Sequence, residues 1–356
     1  LTAFVVFTTG EKILDRCLTS VRDAVDEIVA VDTGAQDGAR AVAERAGARV
    51  YDLVWPDSFA AAYNFAIDQV ATEWTLWLDS DEWLVEGEQP RLAAAIERDD
   101  VFLYNLIRQD YADETHYSEM LTPRLWRTHP SMRLRGVCHA RFTEAVRAAA
   151  CAGRKTVNSN IRFGHDGFIE KSYAEKARRN LKYLRLQMLE PDADLYDEIC
   201  LREAEYVLDE PDAETAMLEL GERILADAGD APTELLAMCV IQACLDSHIR
   251  QRRESEFADR LVELGLKWFA EAPAVRWFSA LYLIAVNRIP DAYTHLLALE
   301  KMSRTGRYDG YLSFDPAILG EGLYRNLAAA AERLGDRAVA ARAHRELARL
   351  RGVDWA

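Results

Sequence analysis

Over roughly the first hundred residues, short buried-type runs alternate with stretches of helical period, and this alternation constrains the fold more than any other feature of the chain. Ala3–Phe7 is a β-branched and aromatic run, after which Ile13, Leu14, Cys17, Leu18 and Val21 recur at helical spacing. Ile28–Val31, Arg49–Val54 and Trp74–Leu78 repeat the strand pattern, and Ala39–Ala46 and Phe59–Val70 repeat the helical one. A strand–helix–strand alternation builds parallel pairs whose crossover helices cover both faces of a sheet, and continuously apolar strands such as Ile28–Val31 suit that burial. The expected class is therefore α/β, a Rossmann-like sheet with helices on both faces.

From Val101 to His165 the helical period disappears. Val101–Ile107, Leu121–Trp126, Phe142–Val146 and Asn160–Phe163 read as strands, which predicts a mixed or antiparallel extension of the sheet. Beyond Lys171 nearly everything is helical. Leu327–Leu350 places alanines at fixed offsets around a Leu-Gly-Asp turn, a pattern that resembles a tetratricopeptide-type hairpin of two close-packed helices. Thr215–Asp227 and Glu256–Glu271 read as degenerate copies. At 356 residues the chain exceeds what one core usually supports. The expected division is a catalytic domain over 1–170, a linking helix over 171–190 and a helical, repeat-like domain over 191–356.

The formal charge of −16 opposes binding along a polyanion, so nucleic acid is not an expected partner. Arg124, Arg127, Arg133, Arg135, Arg141 and Arg147 run against that balance with only Glu144 among them, a segment suited to a small anion. The six cysteines lack CxxC spacing and read as reduced thiols. No apolar run reaches membrane-spanning length and no basic-then-apolar segment precedes the first strand, so a cytoplasmic location is expected.

Two groups of residues carry chemistry. Trp77-Leu78-Asp79-Ser80-Asp81-Glu82 puts acids at the carboxyl end of a buried strand, where open α/β sheets bind ligands. At i, i+2 spacing Asp79 and Asp81 leave an extended strand end on one side, and a hard, oxygen-seeking cation such as Mg²⁺ or Mn²⁺ suits them. An isolated pair of this kind is also a common solvated turn. The second group, Val31-Asp32-Thr33-Gly34-Ala35-Gln36-Asp37-Gly38, lies at another strand end. Asp32 there can accept from a ribose or base, while Asp37 suits a helix N-cap. Thr8-Thr9-Gly10-Glu11-Lys12 matches neither a P-loop nor a dinucleotide fingerprint.

Taken in order, Leu14, Arg16, Cys17, Leu18 and Ser20, then DEIVAVDTGAQD, FAAAYNFAIDQV and WTLWLDSDEWL, resemble the family 2 glycosyltransferases of GT-A fold. RLWRTHPSMRLRGVCH, IRFGHDGF and KARRNLKYL resemble a subgroup that joins this domain to helical repeats. The resemblance implies a sugar transferase that uses a nucleotide-sugar donor, UDP-sugar above others, with a divalent metal, Mg²⁺ or Mn²⁺. The acceptor would be a peptide, a natural-product or other small molecule, or a glycan, and transfer would proceed with inversion. It also implies roles. Asp32, Asn64, Thr8, Glu11, Arg135 and His165 would hold the donor, Asp79 and Asp81 would form the DxD, and Asp81 and His139 would bind the metal.

The sequence departs from the family pattern at three places. Ala140 stands where a glutamate follows the histidine, leaving Glu144, Glu82 or Asp166 as the base, or none. Thr8-Thr9-Gly10-Glu11 replaces "KNE", and Tyr63 replaces an arginine. Two other readings stand beside the transferase: an adaptor that binds a partner through its repeats, and a nucleotidyltransferase, which would want a glycine-rich basic loop after the first strand. Helical repeats also suit pairing of subunits, so a homodimer through that domain is plausible.

Overall fold

The computed structural model describes residues 1–111, 117–143, 146, 148, 151, 153–166, 173–227, 236–309 and 314–352. The chain divides into two compact units, Leu1–Ala193 and Asp194–Ala356.

In the first unit the strands are β1 (Thr2–Phe7), β2 (Glu27–Asp32), β3 (Arg49–Asp52), β4 (Trp74–Trp77), β5 (Glu82–Leu84), β6 (Val101–Tyr111), β7 (Tyr117–Arg127) and β8 (Lys155–His165). The helices are α1 (Glu11–Val21), α2 (Ala39–Arg45), α3 (Phe59–Ile67), α4 (Gln89–Ile96) and α5 (Tyr173–Gln187). Among the described residues the strands form one eight-stranded sheet in the order β3-β2-β1-β4-β7-β6-β8-β5. The β1–β2, β2–β3 and β1–β4 pairs are parallel, as the alternation predicts. Beyond β4 the sheet is mixed: β4–β7, β6–β7 and β5–β8 are antiparallel, whereas β6–β8 is parallel.

Side chains that alternate across the pleat build a core on each face. Ala3, Val5 and Phe7 of β1 and Ile28 and Ala30 of β2 pack with Leu14, Leu18, Val42 and Leu92 from α1, α2 and α4. Phe4, Val29, Val31 and Trp77 point the other way, onto Ala60, Ala66 and Ile67 of α3 and onto Trp126 and Met132. The sheet therefore has the two-faced burial that its apolar strands require.

Three elements differ from expectation. Glu82–Leu84, to which the sequence reading assigns no strand, is a strand paired to β8. Helix α4 has no counterpart in the sequence reading. Phe142, expected on a strand, instead packs edge-on against Trp126 with ring centroids 5.0 Å apart, so its hydrophobicity serves a core contact.

The second unit is all helical among its described residues: α6 (Leu195–Val207), α7 (Ala213–Asp227), α8 (Ala237–Gln251), α9 (Glu256–Phe269), α10 (Pro273–Ala285), α11 (Ile289–Thr305), a 3₁₀ turn at Pro316–Leu319, α12 (Glu321–Leu334) and α13 (Arg337–Leu350). The Leu-Gly-Asp turn behaves as its sequence suggests. Gly335 ends α12 in the left-handed region (φ 78°) and the Asp336 carboxylate accepts from the Val339 N–H to cap α13. Ala328, Ala331, Ala340 and Ala343 are buried in the core these helices share. All six cysteines are free thiols. Among the described residues no helix is long and apolar enough to cross a membrane.

Candidate active site

The loops after β1 and β2 clasp one another at the carboxyl edge of the sheet. The Thr8 and Thr33 hydroxyls lie 2.6 Å apart, and the Gly10 N–H donates to the Asp37 carboxylate at 2.7 Å. The Glu11 carboxylate fills the space beside Gly38, where an added Cβ would come within 2.6 Å of it. Asp32 Oδ1 accepts from the N–H groups of Gly34 and Ala35 at 2.9 and 2.7 Å, and Oδ2 faces Arg40 at 3.2 Å. Burial works against its charge, but these hydrogen bonds hold the Asp32 carboxyl below the ordinary carboxylate range. Asp37 accepts from the Ala39 N–H at 3.0 Å, but the N-cap of α2 is Gly38, so the N-cap position expected of Asp37 falls to its neighbour.

Asp79 lies two residues past the end of β4 and is fixed on both oxygens. Oδ1 accepts from the Tyr63 hydroxyl at 2.7 Å and the Trp77 indole N–H at 3.2 Å, while Oδ2 meets Arg124 at 3.2 Å. Arg124 of β7 is itself buried, lies 4.0 Å from the Trp77 ring centroid, and donates to Glu82 at 2.7 Å. Glu82 is 1% exposed and its other oxygen accepts from the Asp79 N–H at 2.9 Å. Burial raises the Glu82 pKa while Arg124 pulls against it. Both its oxygens are engaged inside the protein, so Glu82 does not have the access to an acceptor that a base needs. Asp166, the other alternative, is paired with Arg16, which lies over the Trp83 ring.

Asp81 has different company. Its carboxylate lies 3.6 Å from His165 Nε2, and His165 Nδ1 is 2.6 Å from the buried carboxylate of Asp110. Burial disfavours charge on all three groups. The hydrogen bond to Asp110 and the nearby carboxylate of Asp81 nevertheless raise the His165 pKa to about 9, and the imidazolium in turn lowers that of Asp81. Lys176 on α5 also feels Asp81: burial lowers its pKa, and the carboxylate's charge opposes that shift.

The structure disperses several expected donor residues. Asn64 uses both ends of its amide on Leu134, accepting from its N–H and donating to its carbonyl at 2.9 Å each, and so ties the 130s segment to α3. Arg135 turns to Asp192, donating to its carbonyl at 2.6 Å. His139 is exposed, with φ 51°, on the loop that runs beside the start of α3, whereas the histidine in contact with Asp81 is His165. Instead of forming one anion cluster, Arg127 pairs with Glu73 and Asp99, and Arg133 with Asp68. Glu144 and Arg147 lie outside the described residues. Sequence reasoning missed Arg124, Asp110 and Lys176 as neighbours of the acids. Arg124 carried a signal, being a charge on a strand otherwise read as buried.

Among the described residues, no group of three or more His, Cys, Asp or Glu side chains is arranged to hold a metal ion. A site with one or two carboxylates still fits Mg²⁺ or Mn²⁺ when the ligand's phosphates and water complete the shell, and Asp81, kept ionised by His165, is a donor of that kind.

A mixed sheet with acids at the carboxyl ends of its strands defines an α/β domain of the kind that binds ligands at that edge. Residues 2–161, a little under half of the chain, match the glycosyl transferase family 2 profile. A TPR repeat-containing protein of Synechococcus elongatus is 30% identical over 180 residues, 48% of this chain and 44% of that protein. An uncharacterized glycosyltransferase of Rickettsia felis is 29% identical over 92 residues, 26% of this chain and 32% of that protein. The chain thus spans less than half the length of these curated relatives. Among solved structures, the mannosyltransferase PcManGT from Pyrobaculum calidifontis, in complex with GDP-Man and Mn²⁺, aligns with 75% of this chain and 86% of its own, at 13% identity and a TM-score of 0.39.

Proposed function

We propose that this protein is a glycosyltransferase that moves a sugar from a nucleoside-diphosphate donor, UDP-sugar foremost, to a peptide, small-molecule or glycan acceptor with inversion. The observation that carries the reading is the unequal treatment of the two strand-end acids within a family 2 domain. Asp79 is locked by Tyr63, Trp77 and Arg124, while Asp81 is held ionised beside His165 at the crevice edge.

Asp81 is the proposed metal ligand, with the donor's diphosphate completing the shell. A bound Mg²⁺ or Mn²⁺ supplies positive charge against the diphosphate as the glycosyl bond breaks. The chain's own part is to keep that carboxylate deprotonated and fixed. Asp32 and the clasped loops of Thr8 and Glu11 offer the nucleoside a rigid rim, and Lys176 adds a cation on the side of Asp81. Inverting transfer calls for a base on the acceptor side. With Glu82 enclosed and Asp166 paired, Glu144 is the proposed residue.

Calorimetric titration of nucleoside diphosphates and nucleotide sugars, with and without Mn²⁺, into the wild type and Asp81→Ala tests this. Metal-dependent binding of one nucleotide that Asp81→Ala abolishes supports the reading and names the base. Absence of binding by every member to folded protein overturns it and leaves an adaptor that acts through its repeats.

A further inference from the structure

Asp110 lies near the end of β6, one strand removed from β5 across β8, and is not among the residues that the sequence nominates. The parallel register sets it opposite His165 of β8, and the antiparallel register on the other side sets His165 opposite Glu82 of β5. Asp110 and His165 are thus cross-strand neighbours, and their side chains meet at 2.6 Å through Nδ1. Both are enclosed, with side-chain exposures of 3% for Asp110 and 10% for His165.

Asp110 is in turn gripped by Arg108, which donates from its Nε at 2.7 Å to one oxygen and from a terminal nitrogen at 3.0 Å to the other. A fork-on-carboxylate contact of this kind fixes the plane of the acid as well as its position. The orientation passes along the chain. Arg108 sets Asp110, Asp110 takes the Nδ1 side of the ring, and Nε2 is left facing Asp81 at 3.6 Å.

A histidine ring pinned at one nitrogen by a carboxylate has a fixed ring angle, and such outer partners govern how well the inner residues hold a ligand. We propose that Asp110 is a positioning residue for the donor–metal site, acting through His165 on Asp81. The inference rests on the glycosyltransferase reading above, because it takes Asp81 to be the ligand. A buried carboxylate facing a histidine has an alternative role, that of neutralising a charge and stabilising the sheet. The two roles differ in one measurable respect: positioning through His165 makes the effect of Asp110 depend on His165.

The test is a double-mutant cycle on the full chain. The midpoint of Mn²⁺ binding is measured calorimetrically in the presence of UDP for wild type, Asp110→Asn, His165→Gln and the double variant, with thermal unfolding of each to verify folding. Asp110→Asn is expected to weaken Mn²⁺ binding by about tenfold, the low end of the range for a direct outer partner because Asp110 acts one step further out. In the His165→Gln background the same change is expected to have less than a twofold effect. Arg108→Gln serves where Asp110→Asn does not fold, with a smaller loss expected in the same direction.

Equal losses in both backgrounds overturn the inference, because Asp110 would then act independently of His165. So does an Asp110→Asn variant that binds Mn²⁺ within twofold of wild type. In either case the transferase reading stands if Asp81→Ala still abolishes binding. A wild type that binds neither Mn²⁺ nor nucleotide overturns both.

Discussion

Arg124 and Glu82 show what a single pair of side chains contributes at the residue scale. The pair is enclosed, at 4% and 1% side-chain exposure, so neither charge has water to fall back on if the other is removed. Arg124→Leu is expected to destabilise the protein by about 3–5 kcal/mol, the cost of an orphaned buried charge. Urea unfolding measures it, and adding Glu82→Gln to Arg124→Leu should restore part of the loss. Gly164 is a second sensitive position. It lies opposite Trp83 in the β5–β8 register, and a Cβ there would approach the indole to 2.2 Å. Gly164→Ala should therefore displace the ring from beneath Arg16 and cost about 1–3 kcal/mol, the usual range for overpacking. Denaturant unfolding gives the cost, and a shift in tryptophan emission reports the displacement.

Among the elements, helix α11 carries a pH dependence. His295 is buried on it, its Nδ1 has no hydrogen-bond partner, and burial, aided by the charge of Arg276, lowers its pKa to about 4. The unfolded chain takes up this proton first on acidification, near the ordinary value of about 6.5, so the native state loses ground as the pH falls from there to about 4 and no further below it. The expected loss is about 3 kcal/mol across that window. Comparing urea midpoints at pH 7.5 and 4.5 for wild type and His295→Phe checks this, since the variant should lose less on acidification than wild type.

Legibility in the sequence also followed the elements. β1, β2 and β4 were readable because strands covered on both faces are apolar throughout, and α1 because one face of it meets the sheet. Short β5 was not, because Glu82 is buried by pairing with Arg124 from a strand 42 residues away. Partnership of that kind leaves no local pattern. For the same reason Asp79 and Asp81 stood out beside β4, while Asp110 looked like one more polar residue at a strand end. Asn64 illustrates the converse. Its place in a family-like segment suggested a ligand contact, yet its amide is matched to the Leu134 backbone.

For the whole molecule, donor binding should leave a regional imprint. Anything that binds only the native state stabilises it, by about 2.7 kcal/mol at a concentration one hundred times its dissociation constant. Hydrogen exchange of the full chain with UDP and Mn²⁺ is therefore expected to slow in peptides from Leu1–Ala193, above all those that contain Asp32, Asp81 and His165. Peptides from Asp194–Ala356 report on a unit with its own two hydrophobic cores. Protection confined to that second unit would contradict the location of the donor site.

The chain of Arg108, Asp110, His165 and Asp81 also has a temporal consequence. Asp110 and His165 lie 55 residues apart in sequence and are neighbours only through the β6–β8 pair, and β6 is joined to the parallel half of the sheet through β7, which lies between it and β4. The β4–β7 and β6–β8 closures are non-local, unlike the β6–β7 hairpin, and must meet their loop entropy before any contact rewards them. The imidazole can therefore reach Asp81 only after the far half of the sheet has closed. During refolding, the first turn of α1 and the β1–β2 pair can form early, but nucleotide-dependent Mn²⁺ binding should be among the last properties to return.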